Sequence, residues 1–172
     1  FFTLIFFIAI LFPKGNHKLS SEHKRLLRQA NTLQKNGLIK ESELAYSNIL
    51  QENPHLTEAL RPLKLLLKNQ NKLEELENIA QIYLNAHQNN VNAMIEVIDI
   101  YIWLNNSKWE KIVNDILSFN KINDNQIKKT LDILMKNNQA LKAIKIVNEN
   151  LRTRKPDYFS LELGIYYSLN ML

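Results

Sequence analysis

The sequence of 172 residues contains no cysteine, only three glycines and only four prolines. Without cysteine there is neither a disulfide framework nor a cysteine-ligated metal site. The glycines, Gly15, Gly37 and Gly164, lie too far apart to form a glycine-rich phosphate-binding loop. Sandwiches and barrels need many Gly/Pro turns between short strands, so the scarcity of both residues argues against a β-rich fold.

Hydrophobic residues make up 45% of the chain, which argues against a disordered protein. Apolar residues recur three and four positions apart, as amphipathic helices require. Asn-rich segments and a few prolines separate these stretches and mark turns. The pattern predicts an all-α protein with helices over 21–35, 38–52, 57–69, 73–87, 91–104, 108–119, 124–136, 139–152 and 157–170.

Two local features are predicted within these helices. Ser107 and Glu110 have the spacing of a capping box, in which each side chain accepts a hydrogen bond from a free backbone N–H. Pro62 lies inside the third helix, where it removes a backbone donor and is expected to produce a kink.

Alternate helices repeat at a nearly constant interval. Equivalent positions are separated by 34, 34, 33 and 33 residues, and are occupied by Ala30, Lys64, Ile98, Leu131 and Gly164. Short connections force consecutive helices to pack as antiparallel hairpins. A two-helix unit with this period predicts a solenoid, in which no unit buries its apolar face alone.

The chain resembles the tetratricopeptide repeat (TPR) family, with degenerate repeats. Residues 37–54 (GLIKESELAYSNILQENP) are similar to the second helix of that family, and so are residues 138–151. Leu163, Gly164 and Tyr167 match its Leu-Gly-x-x-Tyr signature. The family's small packing positions depart here, with Lys64, Ile98 and Leu131 in first helices and Tyr83 and Phe119 in second helices.

The resemblance implies a right-handed α-solenoid of TPR-like antiparallel helix pairs over residues 20–172. Its repeats are expected at about 22–55, 56–89, 90–122 and 123–155, with a partial repeat over 156–172. Trp109 begins a helix at the family's aromatic packing position, so it is expected to pack between helices. For Trp103, packing and binding both remain open.

The resemblance also implies a function: TPR arrays bind an extended peptide or a helix in the concave groove lined by first helices. The groove is expected to be basic near the first two repeats and more apolar further on, which suits an amphipathic protein segment. By repeat register the expected groove residues are Lys24, Asn31, Arg61, Leu65, Lys68, Asn92, Asp99, Trp103, Lys128 and Asp132.

Residues 1–12 are apolar except for Thr3, and a helix of that length is too short to span a bilayer. Its length suits the core of a secretory signal, so an export signal or N-terminal membrane anchor, followed by a short basic linker, is predicted over 1–19. The expected location is exported, periplasmic or envelope-associated, with membrane contact through 1–12. Six basic residues and one acid lie between 13 and 36 and account for the whole net charge of +5. Because basic residues beside a membrane segment tend to stay on the cytoplasmic side, a cytoplasmic, membrane-anchored domain is the alternative.

An enzyme is not predicted, because no nucleophile elbow or catalytic triad is present. The four histidines form no zinc-binding motif, and no cofactor, metal or small-molecule substrate is expected. The expected function is a non-catalytic protein-interaction scaffold. A structural subunit of an envelope assembly is the alternative, and a helical-repeat RNA-binding protein is disfavoured because the repeat region is electrically neutral.

Overall fold

The computed structural model describes residues 19–119 and 121–146. These residues form eight α-helices and no strand. The helices are α1 (Ser21–Lys35), α2 (Ile39–Glu52), α3 (Thr57–Asn69), α4 (Leu73–Ala86), α5 (Val91–Trp103), α6 (Lys108–Ser118), α7 (Asp124–Lys136) and α8 (Ala140–Ile146).

The all-helical prediction is confirmed for this part of the chain, and α1 to α7 match the predicted bounds within one residue. The reason is the strong 3.6-residue periodicity, which places apolar side chains on one face of each helix. The predicted helix over 157–170 and residues 1–18 of the predicted leader lie outside the described residues. No helix in the described ranges is both long and apolar enough to cross a bilayer.

Successive helices pack against each other from α1 to α6, and α7 packs on α5 and α8. One continuous core runs through them, and its fully buried members include Leu50, Leu60, Ile98, Ile116 and Leu131. This sequential packing is consistent with an α-solenoid or a helical bundle. Trp109 is buried, which confirms its predicted packing role.

The turn within each helix pair has the same geometry every 33 or 34 residues. The second residue after each first helix adopts a left-handed conformation, which glycine and asparagine tolerate best. These residues are Gly37 (φ 78°), Asn71 (56°), Asn105 (51°) and Asn138 (58°). The following amide then donates to the carbonyl five residues earlier, in the pairs Leu38–Leu33, Lys72–Leu67, Asn106–Tyr101 and Gln139–Leu134, at 2.8–3.0 Å. The architecture is therefore repeat-like in its backbone hydrogen bonds.

The predicted capping box at Ser107 is wrong. The Ser107 backbone is helical (φ −59°, ψ −9°) and its side chain makes no capping hydrogen bond. An N-cap side chain reaches the free amides from an extended backbone, which Ser107 lacks. Asn106 instead accepts from the amide of Lys108 through Oδ1 at 3.0 Å. A complete capping box is formed at α7 by Asn123 and Gln126.

Two residues that appeared unsuited to the fold are accommodated within it. Pro62 lies inside α3, which continues as one helix from Thr57 to Asn69. Tyr83 is buried, and its hydroxyl shares a 2.6 Å hydrogen bond with Thr57 Oγ1. Burial raises the pKa of Tyr83, although the hydrogen bond to Thr57 opposes this rise. A bulky second-helix residue thus links its own helix to the start of α3.

Candidate functional site

Three alternate helices, α3, α5 and α7, lie side by side and carry most of the predicted groove residues. α5 packs directly on α7, where Gln126 donates through Nε2 to Oδ1 of Asn92 at 3.1 Å. α3 is joined to α5 by ion pairs. We call the exposed sides of these three helices the first-helix face.

Two lysines of α3 converge on one carboxylate of α5. Lys64 Nζ lies 3.1 Å from Oδ1 of Asp99, and Lys68 Nζ lies 3.1 Å from Oδ2 of the same residue. Lys64 also donates to the carbonyl of Glu96 at 3.2 Å. The three side chains are only 15%, 18% and 23% exposed. The cluster is therefore held within the protein and partly shielded from water.

Arg61 extends this cluster toward the start of α3. Its guanidinium donates to both carboxylate oxygens of Glu96, with Nε 2.9 Å from Oε2. The hydrogen bond to Glu96 raises the pKa of Arg61 above its ordinary value. We call Arg61, Lys64, Lys68, Glu96 and Asp99 the α3–α5 seam. The prediction assigned Arg61, Lys68 and Asp99 to partner binding. In the structure they already form ion pairs within the protein, Arg61 with Glu96 and Lys68 with Asp99.

Lys64 and Glu96 were not among the predicted site residues. Lys64 stands at the position that buried Ala30, Ile98 and Leu131 hold in the other first helices, so the sequence predicts poor packing there. In the structure its ammonium leaves the core and reaches α5. The signal that could have identified the seam is a recurring separation: Arg61–Glu96 and Lys64–Asp99 are each 35 residues apart and opposite in charge.

Two apolar side chains remain exposed beside the seam. Leu65 is 55% exposed on α3, one turn before Lys68. Trp103 is 38% exposed at the end of α5, and Lys68 Nζ lies 5.9 Å from its ring centroid. A cation at this distance is attracted to the face of an indole ring. We call Leu65 and Trp103 the apolar pair.

The remaining predicted groove residues are more scattered. Lys24 and Asn31 are exposed on α1, and Lys128 is exposed on α7. No ion pair among the described residues links Lys24 or Lys128 to the seam. Asp132 is half-buried on α7. The structure thus gathers Arg61, Leu65, Lys68, Asp99 and Trp103 into one place and leaves the others on neighbouring helices.

A second set of ion pairs joins the second helices. Glutamates separated by 34 and 33 residues each contact a lysine at or near the start of the next second helix. We call the pairs Glu43–Lys72 (2.5 Å), Glu77–Lys108 (2.7 Å) and Glu110–Lys142 the Glu–Lys series. Glu77 also accepts from Asn106 Nδ2 at 3.2 Å. The hydrogen bond to Glu77 raises the pKa of Lys108.

A cleft of about 480 Å³ lies elsewhere, between α4, α5 and α6. Its lining includes Gln81, His87, Tyr101, Lys111 and Asp115, and none of the predicted groove residues.

The rings of His55 and His87 meet edge to face, with their centroids 4.8 Å apart. In the described ranges, no group of three or more His, Asp or Glu residues is placed to hold a metal ion.

No protein-family model matches the chain, and no curated protein matches it either. The resemblance to TPR proteins therefore depends on the period, the motifs and the repeat-like turns alone.

Proposed function

We propose that this protein is a non-catalytic interaction scaffold, built as a right-handed TPR-like solenoid, that binds an amphipathic protein segment on its first-helix face. The repeat at 33–34 residues supports the solenoid, because the same turn hydrogen bonds and the same Glu–Lys pairs recur at that interval. A solenoid presents equivalent residues of successive repeats along one surface, which suits an elongated partner.

One observation supports this position of the binding site: the apolar pair stays exposed although the charged side chains around it form ion pairs. Tryptophan is enriched among the residues that dominate binding energy at interfaces. Leu65 and Trp103 flank Lys68, and Arg61, 64% exposed, lies one turn before Leu65. This arrangement offers apolar anchors with a polar rim, as a protein-binding patch does.

The seam changes the expected chemistry of the partner. The seam holds three cations and two carboxylates, so two of its three positive charges are compensated within the protein. We therefore expect apolar residues of the partner to supply most of the affinity, with Arg61 directing an acidic residue. The same compensation weakens the attraction of the seam for the phosphates of RNA, which are neutralised by Lys and Arg side chains.

We place the scaffold at a cell envelope, outside the cytoplasm, on the basis of the apolar segment 1–12 and the basic residues after it. A fusion of residues 1–40 to a reporter active only outside the cytoplasm tests this location. Export of the reporter is the expected result, and retention inside the cell would contradict it.

The binding proposal is tested by selecting peptides from a random display library against the whole chain. We expect the selected peptides to contain aromatic or aliphatic anchors. Trp103→Ala and Leu65→Ala should each weaken binding about tenfold or more, as removal of interface anchors does. The matched control for Leu65→Ala is Leu44→Ala, because Leu44 is exposed to a similar extent, at 62% against 55%, but lies on α2. Peptides that bind both Trp103→Ala and Leu65→Ala as tightly as the unchanged chain would overturn the site.

A further inference from the structure

Helix α1 presents a basic face that is not part of the first-helix face formed by α3, α5 and α7. Lys24, Arg28, Asn31 and Lys35 follow one another at intervals of four, three and four residues, so they share one face of α1. All four are exposed. From Lys24 to Lys35 the face extends about 16 Å along the helix.

This basic face has no acidic counterpart among the described residues. The one acid of α1, Glu22, is paired with Arg25 through a two-pronged contact, with Nε 3.1 Å from Oε2. Lys24, Arg28 and Lys35 take part in none of the ion pairs in the described ranges. The contrast with the α3–α5 seam is direct, because there each cation contacts a carboxylate.

The face lies just after the most apolar part of the chain. Residues 1–12 contain no charged residue, and Lys14 and Lys18 stand between them and α1. Clusters of basic residues on an amphipathic helix attract the headgroups of anionic lipids, and α1 is such a helix, with Leu26 and Leu27 packed on the core. Single-stranded nucleic acids, by contrast, are held by basic grooves combined with aromatic side chains, and α1 contains no Phe, Tyr or Trp.

We propose that the basic face of α1 (Lys24, Arg28 and Lys35) docks on an anionic lipid surface. The helix then lies along the membrane and the remaining helices extend away from it. This inference is independent of the peptide-binding proposal, because the two surfaces have no residue in common. The peptide site is formed by Leu65 and Trp103, whereas the basic face is formed by Lys24, Arg28 and Lys35.

The experiment is co-sedimentation of the whole chain with vesicles. One set is phosphatidylcholine alone, and in the other about a third of the lipid is anionic phosphatidylserine. We expect stronger binding to the anionic vesicles, and this gain should fall as salt is added. The variant Lys24→Gln/Arg28→Gln/Lys35→Gln should lose about a hundredfold of the affinity for anionic vesicles, because each basic residue contributes roughly fivefold.

The matched control carries the same three charge losses on α7, as Lys128→Gln/Lys129→Gln/Lys136→Gln. These lysines are exposed too, but Asp124 and Asp132 stand among them. Loss of binding in the α1 variant alone supports the proposal. It is overturned if both variants lose the same affinity, if neither does, or if the chain binds both vesicle types equally. Tighter binding to single-stranded polyuridylate than to anionic vesicles would also overturn it, in favour of nucleic acid.

Discussion

The α3–α5 seam and the Glu–Lys series both join one helix pair to the next, yet they differ in burial. In the seam, two lysines and one aspartate are each less than a quarter exposed, and the lysines also donate to backbone carbonyls. In the series, Glu43 and Lys72 are only 16% and 33% exposed, whereas the two later pairs are 41–51% exposed. Exposed ion pairs contribute little because water screens them, whereas removing one member of a shielded pair leaves an uncompensated charge.

Successive helix pairs are therefore joined by two kinds of junction, the seam between first helices and the Glu–Lys series between second helices. The Glu–Lys series follows the period of the sequence and links each second helix to the next one. The seam interrupts the apolar register of first helices at one place, where Lys64 replaces a core residue. We expect the seam to fix the relation of α3 to α5 more firmly than either of the two open pairs of the series, Glu77–Lys108 and Glu110–Lys142.

The largest effect is expected for Asp99→Ala. This change leaves Lys64 and Lys68 half-buried without their carboxylate, and should lower the free energy of unfolding by about 2–3 kcal/mol. Urea unfolding followed by circular dichroism measures it. A loss below about 1 kcal/mol, typical of an exposed pair, would mean that the seam does not differ from the series.

The turns within helix pairs provide an internal reference for both junctions. Asn105 has φ 51°, where a Cβ without a local hydrogen-bonding group is disfavoured. Asn105→Ala should therefore cost about 1 kcal/mol, whereas Asn105→Gly should be close to neutral, since glycine adopts this conformation freely. Equal stability of the two variants in thermal unfolding would contradict the backbone explanation.

A smaller effect is expected for Glu77→Ala in the Glu–Lys series. Glu77 accepts from Lys108 and Asn106 just as Asp99 accepts from Lys64 and Lys68, so the two substitutions are matched in the number of contacts removed. Because Glu77 and Lys108 are 41% and 51% exposed, the cost should be about 0.5 kcal/mol and should shrink in high salt. A cost as large as that of Asp99→Ala, or one unaffected by salt, would remove the distinction.

The ionisation of two buried tyrosines, one beside each junction, is expected to leave the stability unchanged at neutral pH and to lower it only at alkaline pH. Burial raises the pKa of Tyr83, near Arg61 and Glu96, and of Tyr101, near Lys108 and Glu77, above 10.0. The unfolded chain ionises these phenols first, so this part of the stability is complete below pH 10 and is lost as the pH rises through the folded pKa values. Urea unfolding between pH 8 and 11 measures it. Tyr83→Phe and Tyr101→Phe should each reduce the alkaline loss, and a loss unchanged in both variants would contradict this assignment.

Much of the fold could be predicted because it depends on local rules. Apolar periodicity fixed the helices, and the 33–34-residue interval of Gly37, Asn71, Asn105 and Asn138 reflects a backbone conformation that few residues adopt. The capping box was misplaced for the opposite reason. Ser107 and Asn123 stand at the N-caps of similar motifs, but only the backbone conformation of the N-cap residue, helical at Ser107 and extended at Asn123, decides which side chain reaches the free amides.

The candidate site divides in the same way. Repeat register predicted Arg61, Leu65, Lys68, Asp99 and Trp103 as groove residues, and the structure has them on α3 and α5, two helices joined by ion pairs. Register could not predict that Lys64 would leave the core for Asp99, or that Lys68 would be shared between Asp99 and Trp103. Those choices depend on how far apart α3 and α5 lie and which way each side chain turns. Such distances arise from the packing of whole helices, which no local pattern specifies.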